Sequence, residues 1–334
     1  MKPVPLGDFR SLGMRIRRLE DKTIPPYRLV AADRETWDRC WAQVQGSPLY
    51  QSWEYGAARH HSQLFRPERF VIRRGAEGAP VGLLQVLVYA VPLLGGVARI
   101  SRGPVFLNGS LSPEQAPEDL EAVFGAIRAA ARRQRWRLIR IAPELPPSDE
   151  TTAHLGRLGF KRRLEGMAVA SAVIDLARPP EEIRAGFHSK WRNLLNKSEK
   201  IGLTLESPPL PAALAFLARE YESMQRDKGF QGVPTGLLRQ MAAQEGPRWA
   251  CRLLFARHAQ DRCGMVMVVG HGDTCTYLVG WTSEPGRALQ ANSFLLWQAM
   301  LLFRTLGYRF FDVGGLGGRT TEGVEHCKKR LQGR

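Results

Sequence analysis

The chain reads as an α/β protein with mixed sheets, built from one α/β unit used twice. Three observations predict this. Apolar runs of strand length alternate with segments of helical period along the whole sequence. One order of elements (two helices, a strand meander, one long helix, one closing strand) occurs both before and after Pro179-Pro180. The length, 334 residues, exceeds what one core usually holds, so two domains are expected.

Residues 1–27 carry Arg10, Arg15, Arg17 and Arg18 with no apolar stretch behind them, and read as a basic arm rather than a signal peptide. Over 31–45, Trp37, Cys40 and Trp41 share one face of a helix that Asp33 would cap. A short helix starts at Ser52 and carries Tyr55. Strands are predicted over 69–73, 81–91 and 97–101. Residues 118–135 form an amphipathic helix whose acidic start and basic end suit the helix dipole. A strand at 137–142 closes the first unit. The prolines within 177–182 mark the expected link, giving domains of 28–178 and 179–334. The second unit repeats the order: helices near 211–226 and 235–243, strands at 250–256, 265–269 and 275–280, a helix over 291–306, and a strand over 309–313.

Lys and Arg exceed Asp and Glu by 48 to 32, a formal charge of +16 that favours polyanionic partners or follows from an arginine-rich composition alone. The longest apolar stretch, 81–97, is interrupted by Gln85, Tyr89, Pro92 and paired glycines, so no integral membrane segment is expected. Five scattered cysteines without a CxxC pair argue against zinc and for reduced thiols, hence a cytoplasmic setting. Neither GxGxxG nor GxxxxGK[ST] occurs, which removes the dinucleotide and P-loop readings. The histidines show no metal or triad spacing.

The terminus carries the strongest chemical pattern. Phe310-Phe311-Asp312-Val313 runs into Gly314, Gly315, Gly317 and Gly318, and Lys328-Lys329-Arg330 follows. Glycines let backbone N–H groups approach a ligand, and lysine adds a point charge. Such a cradle suits an anionic or developing-anionic group. Lys190-Trp191-Arg192-Asn193 opens a basic helix in which Arg192 and Asn193 could offer a fork and an amide to phosphate, or in which Trp191, Leu194 and Leu195 simply pack inward. Gln51-Ser52-Trp53-Glu54-Tyr55 and Ser101-Arg102-Gly103-Pro104 read as cleft-lining junctions or as structural turns.

Taken in order, Gln51-Ser52 before Trp53 and Tyr55, Arg102-Gly103-Pro104-Val105, Lys190-x-Arg192-Asn193 and Asp312-x-Gly314-Gly315…Gly323-x-x-x-Cys327-Lys328 resemble the FemABX-type aminoacyltransferases, over about 50–332. The resemblance implies two tandem GNAT-like (acyl-CoA N-acyltransferase-like) domains, with the last strand tending to return to the first. It also implies transfer of an amino acid from aminoacyl-tRNA, as co-substrate and with no other cofactor, to an amine. The acceptor would be a peptidoglycan precursor, a small peptide or an antibiotic intermediate. On this resemblance Lys328 faces the ester, Arg192, Asn193 and Lys190 meet phosphate, and Arg59 touches the acceptor. Gln51, Trp53, Tyr55, Arg102, Gly314 and Gly315 line the cleft, and Asp312 is the candidate base. Two features depart from the family pattern. Cys327 replaces an aromatic, and Phe106, Leu107 and Asn108 stand where an acid is often found.

Two rivals remain in view. An acyl-CoA-dependent GNAT N-acyltransferase needs a glycine-rich pyrophosphate loop before its long helix. The stretch Arg287-Ala288-Leu289-Gln290-Ala291-Asn292 keeps the arginine and lacks both glycines. A non-enzymatic RNA-binding protein explains the charge but not the glycine–lysine terminus.

Overall fold

The computed structural model describes residues 26–75, 78–91, 95–108, 117–145, 149–162 and 170–316. The first half comprises β1 (Tyr27–Ala31), α1 (Arg34–Trp41), a 3-10 turn (Leu49–Gln51), α2 (Trp53–Gln63), β2 (Arg66–Arg74), β3 (Pro80–Val91), β4 (Gly95–Ser101), β5 (Val105–Phe106), α3 (Pro117–Arg133) and β6 (Trp136–Ala142). After α4 (Asp149–Arg157) come β7 (Ala170–Asp175), α5 (Pro180–Gly186), α6 (Ser189–Lys200), β8 (Thr204–Glu206), α7 (Leu210–Lys228) and α8 (Thr235–Ala242). The chain continues through β9 (Trp249–His258), β10 (Asp261–His271), β11 (Thr274–Thr282), α9 (Glu284–Ala288), α10 (Ala291–Thr305) and β12 (Phe310–Leu316).

The duplication is plain in the sheets. One is ordered β1-β2-β3-β4-β6, with β5 also on β3; the other is ordered β8-β9-β10-β11-β12-β7. Each has a single parallel neighbour pair, β4 with β6 and β11 with β12. Those pairs are joined through the long helices α3 and α10, the crossover that parallel strands require. The predicted α/β class with two mixed sheets is therefore what the chain adopts.

The element boundaries show two differences. Strand β1, five residues at a sheet edge, falls between the basic arm and the first helix of the sequence reading, where no element was predicted. Strand β7 pairs antiparallel with β12, so it belongs to the second sheet although it precedes a cut at 178/179. Pro180 begins α5 rather than sitting in a linker, because its fixed φ and missing N–H suit a first helical turn. Strand β12 also stays in the second sheet as far as Leu316.

Each half packs a helix layer on one sheet face. In the first, Val123, Phe124 and Ile127 of α3 cover Ile72, Leu84 and Ile100. In the second, Trp191 and Leu195 of α6 and Phe294 and Phe303 of α10 cover Leu254, Val266 and Phe311. A further core belongs to both halves: Tyr55, Ala58 and Leu87 pack with Leu217, Leu238, Met241, Phe255 and Met267. Burying apolar area between the halves gives them a common stability. The Asp273 carboxylate adds a polar clasp, accepting the N–H groups of Gly46 and Ser47 at 2.9 Å each.

Candidate active site between the halves

Strand alternation decides where Asp312 goes. Its neighbours Phe311 and Val313 enter the core under α10, so Asp312 emerges on the opposite face, toward the first half. The β11–β12 ladder is registered only from Thr274–Phe310 to Thr276–Asp312. Beyond that point β12 continues on β7 while β11 continues on β10 as far as Thr282. The parallel strands diverge, and a wedge opens beside Asp312.

Arg102 reaches Asp312 from the first half. It follows β4 in a left-handed conformation, φ +49°, which is uncommon for a residue with a Cβ. Its N–H bonds to Ala142 O at 2.7 Å. Its guanidinium donates to Asp312 Oδ2 at 2.9 Å and to Glu144 Oε1. Burial alone weakens the charged guanidinium, but Glu144 and then Asp312 outweigh that loss and raise its pKa.

The other Asp312 oxygen accepts the Ser171 hydroxyl and the N–H of Gly314, the latter at 2.8 Å. Gly314 makes that bond with φ +76°, open to glycine at no steric cost, at a bulge between Asp312 and Gly315. Both oxygens of this buried carboxylate are thus engaged by donors. The sequence offered Asp312 as a base; the geometry makes it an anchor for three chain segments. The glycine pair likewise lies inside β12, with Gly315 registered against Ser171 and the Gly314 carbonyl 3.2 Å from the Ser171 hydroxyl.

Gln51 is the strut behind Arg102. Its buried carboxamide donates to Ser101 O at 2.9 Å and Gln85 O at 3.2 Å, and accepts the Gln85 N–H at 2.7 Å. Gly103 packs flat on that amide: a Cβ there would stand 2.5 Å from Gln51 Nε2. Gln85 in turn donates to Tyr50 O and Ser52 O and accepts from Arg69 Nε at 2.9 Å. Trp53 carries the Arg69 guanidinium 3.7 Å from its ring centroid. Burial drags the Arg69 pKa down to about 10, still far above neutrality. Gln51 and Trp53 are therefore committed to holding the cleft rather than facing into it.

Tyr50 and Tyr55 meet edge to face at 5.2 Å, and Arg59 donates to the Tyr55 hydroxyl at 3.3 Å. About a third of Tyr50 is exposed (38%), yet loss of hydration at its hydroxyl end still pushes its pKa up. Nearby, buried His271 lies 2.8 Å from Thr276 Oγ1 through Nε2. Desolvation carries its pKa down to about 4, with Asp312 and Asp273 pulling the other way, so it is neutral at pH 7.

Arg192, Asn193 and Lys190 are not part of this cluster. They ride on α6, which packs on the sheet face opposite Asp312. Arg192 donates to the carbonyls of Ala185 and Phe187, tying down the end of α5, while Lys190 and Asn193 are exposed. Lys328 and Cys327 lie outside the described residues. Sequence reasoning passed over Ser171 and Glu144, set His271 aside with the other histidines, and took Gln85 only as a break in an apolar run. Only Gln85 left a signal, as a lone polar residue inside an apolar strand, where burial demands bonding partners. Among the described residues no group of side chains could hold a metal ion.

With this geometry in place, the likeness to known structures is specific. FemX superposes with a TM-score of 0.73 at 15% identity, covering 92% of this chain and 94% of its own. The chain has a FemX-like fold of two GNAT-like units. A conserved protein of unknown function from Bacteroides thetaiotaomicron VPI-5482 superposes with a TM-score of 0.54 at 12% identity, covering 93% and 96%. The acetyltransferase (GNAT) domain family matches residues 184–329, so within the tandem GNAT fold it is the second unit, with its open β11–β12 wedge, that carries the family's sequence pattern. No curated protein matches the chain by sequence. Among the described residues no helix is long and apolar enough to cross a membrane.

Proposed function

We propose that this protein transfers an amino acid from aminoacyl-tRNA to the amine of a small molecule or peptide, forming an amide. The observation that carries the reading is the whole-chain likeness to FemX, both halves included. Two features of this chain agree with it. The stretch where a CoA pyrophosphate loop would open the long helix instead runs from the end of α9 into α10, and the one glycine of α9, Gly286, serves packing: a Cβ would stand 1.8 Å from Cys263 O. The surplus of 48 basic over 32 acidic residues suits an RNA co-substrate.

In the reaction the acceptor amine attacks the ester carbonyl, the tetrahedral oxyanion collapses, and the tRNA 3′-hydroxyl leaves with a proton. The ester is already activated, so positioning and oxyanion stabilisation suffice. Lys328 is assigned the oxyanion, and the wedge beside Asp312 the reacting groups. With both oxygens of Asp312 engaged, the amine proton passes to solvent or to another group.

The acyl-CoA reading keeps one observation in its favour, the GNAT domain match over 184–329. Incubating the protein with a pool of charged tRNAs and candidate amines, read by mass spectrometry, separates the two. RNase should abolish product, and Lys328→Ala should lower turnover at least tenfold. Full activity with acetyl-CoA and no RNA would overturn the proposal.

A further inference from the structure

The face of the first sheet turned away from α3 is covered by α1 and α2 over β2 and β3, and beside that cover, on β4 and β6, it carries two arginines. Arg99 on β4 and Arg140 on β6 are registered directly opposite each other on parallel strands, and both are exposed. Side chains opposite each other across a ladder interact, and like charges there are destabilising. Neither arginine makes a hydrogen bond or ion pair among the described residues, whereas Arg34, Arg74, Arg102 and Arg262 all have carboxylate partners. A repulsive pair without counter-charge is the arrangement of a site that awaits an anion.

Its surroundings name the anion's class. Leu87 flanks Arg99 on the other side and belongs to the core shared by the halves, so Arg99 stands at the edge of that core. The next row of the sheet is Tyr89, Val97 and Leu138, with Tyr89 49% exposed. The charge of Arg99 also reaches Tyr50, another partly exposed ring. Paired guanidinium forks beside exposed tyrosine rings match a phosphate linked to a stacking ring.

We propose that Arg99 and Arg140 form a phosphate clamp for a nucleotide-bearing ligand on the β4–β6 side of the first sheet, on the face away from α3. Assigning that ligand to the transfer reaction rests on the function proposed above; phosphate binding itself does not. Two sources share the chemistry, the single-stranded end of an RNA and a small nucleotide-linked molecule.

Titration of the full-length protein with inorganic pyrophosphate and with a labelled single-stranded RNA ending in CCA tests this without any assay of transfer. Arg99→Ala and Arg140→Ala should each weaken binding about tenfold, with Tm unchanged or slightly raised because a repulsion is removed. Loss of RNA binding alone identifies RNA as the source; loss of pyrophosphate binding alone identifies the small molecule. Arg239→Ala, which removes an exposed arginine from α8 in the other half, is the control. Equal losses in the control reduce the effect to overall charge and overturn the clamp. Undiminished binding in both site variants, or no binding by the wild type, overturns it too. If binding follows the prediction but no amino acid is transferred, the clamp stands and only the proposed reaction falls.

Discussion

Arg102 spans the two halves at the cost of an unfavourable backbone conformation, and its partners make the consequences of its loss specific. Arg102→Ala leaves the buried Asp312 with only Ser171 and Gly314, which should cost about 2–3 kcal/mol in urea unfolding. Arg102→Lys should recover little, since one ammonium cannot reproduce the fork shared between Glu144 and Asp312. Gln51→Ala removes three buried hydrogen bonds and orphans Ser101 O and the Gln85 N–H, an expected loss of about 3 kcal/mol. His271 supplies a pH dependence. Its folded pKa, about 4, lies below the unfolded value of about 6.5, so the unfolded state binds the extra proton between those values. Stability is full above pH 6.5 and should fall by about 3 kcal/mol on descending to pH 4. A His271→Asn variant should show a shallower loss over that window, measured by denaturant midpoints at each pH. The sequence marked Arg102, Asp312, Gln51 and Gly314 as site residues, and the fold brings them into one neighbourhood. The sequence could not say that they satisfy one another, because hydrogen bonds between positions 210 apart leave no local pattern.

At the scale of elements, the long helices and most strands were legible, whereas the edge strands β1, β7 and β8 were not. Helices α3, α7 and α10 announce themselves by apolar residues at helical spacing, and Asp33 does cap α1 through the Thr36 N–H. Strands β1 and β8 are short, lie at sheet edges and alternate too briefly to stand out. Strand β12 was predicted to stop before its glycines, because glycine is a poor strand residue; pairing with β7 and the bulge at Gly314 carry it on to Leu316. The short helix α9 yields a further prediction. Gly286→Ala forces a Cβ onto the Cys263 carbonyl, so α9 must lift from β10, at about 1–3 kcal/mol in thermal or urea unfolding. An unchanged Tm would show that α9 packs differently.

Across the whole molecule, the core between the halves and the Asp273 clasp predict one cooperative transition rather than two. Residues 170–334 expressed alone would expose Phe255, Met267 and Leu238 where Tyr55, Ala58 and Leu87 now cover them. Such a fragment should bind a hydrophobic dye and aggregate, while the intact chain should give superimposable unfolding curves by fluorescence and circular dichroism. The doubled topology was legible because element order survives when residue identity does not. The joint was misread because prolines at 179 and 180 look like a hinge from sequence alone, although hydrogen bonding places β7 beyond it. A repeat of this kind would ordinarily offer its pocket twice. Here the first copy zips its parallel pair from Gly96–Trp136 to Ser101–Ala142, whereas the second stops at Thr276–Asp312. One copy has become a wall and the other remains ajar. Titration should therefore saturate at a single equivalent of acyl donor per chain, a stoichiometry that the symmetry of the fold would not suggest.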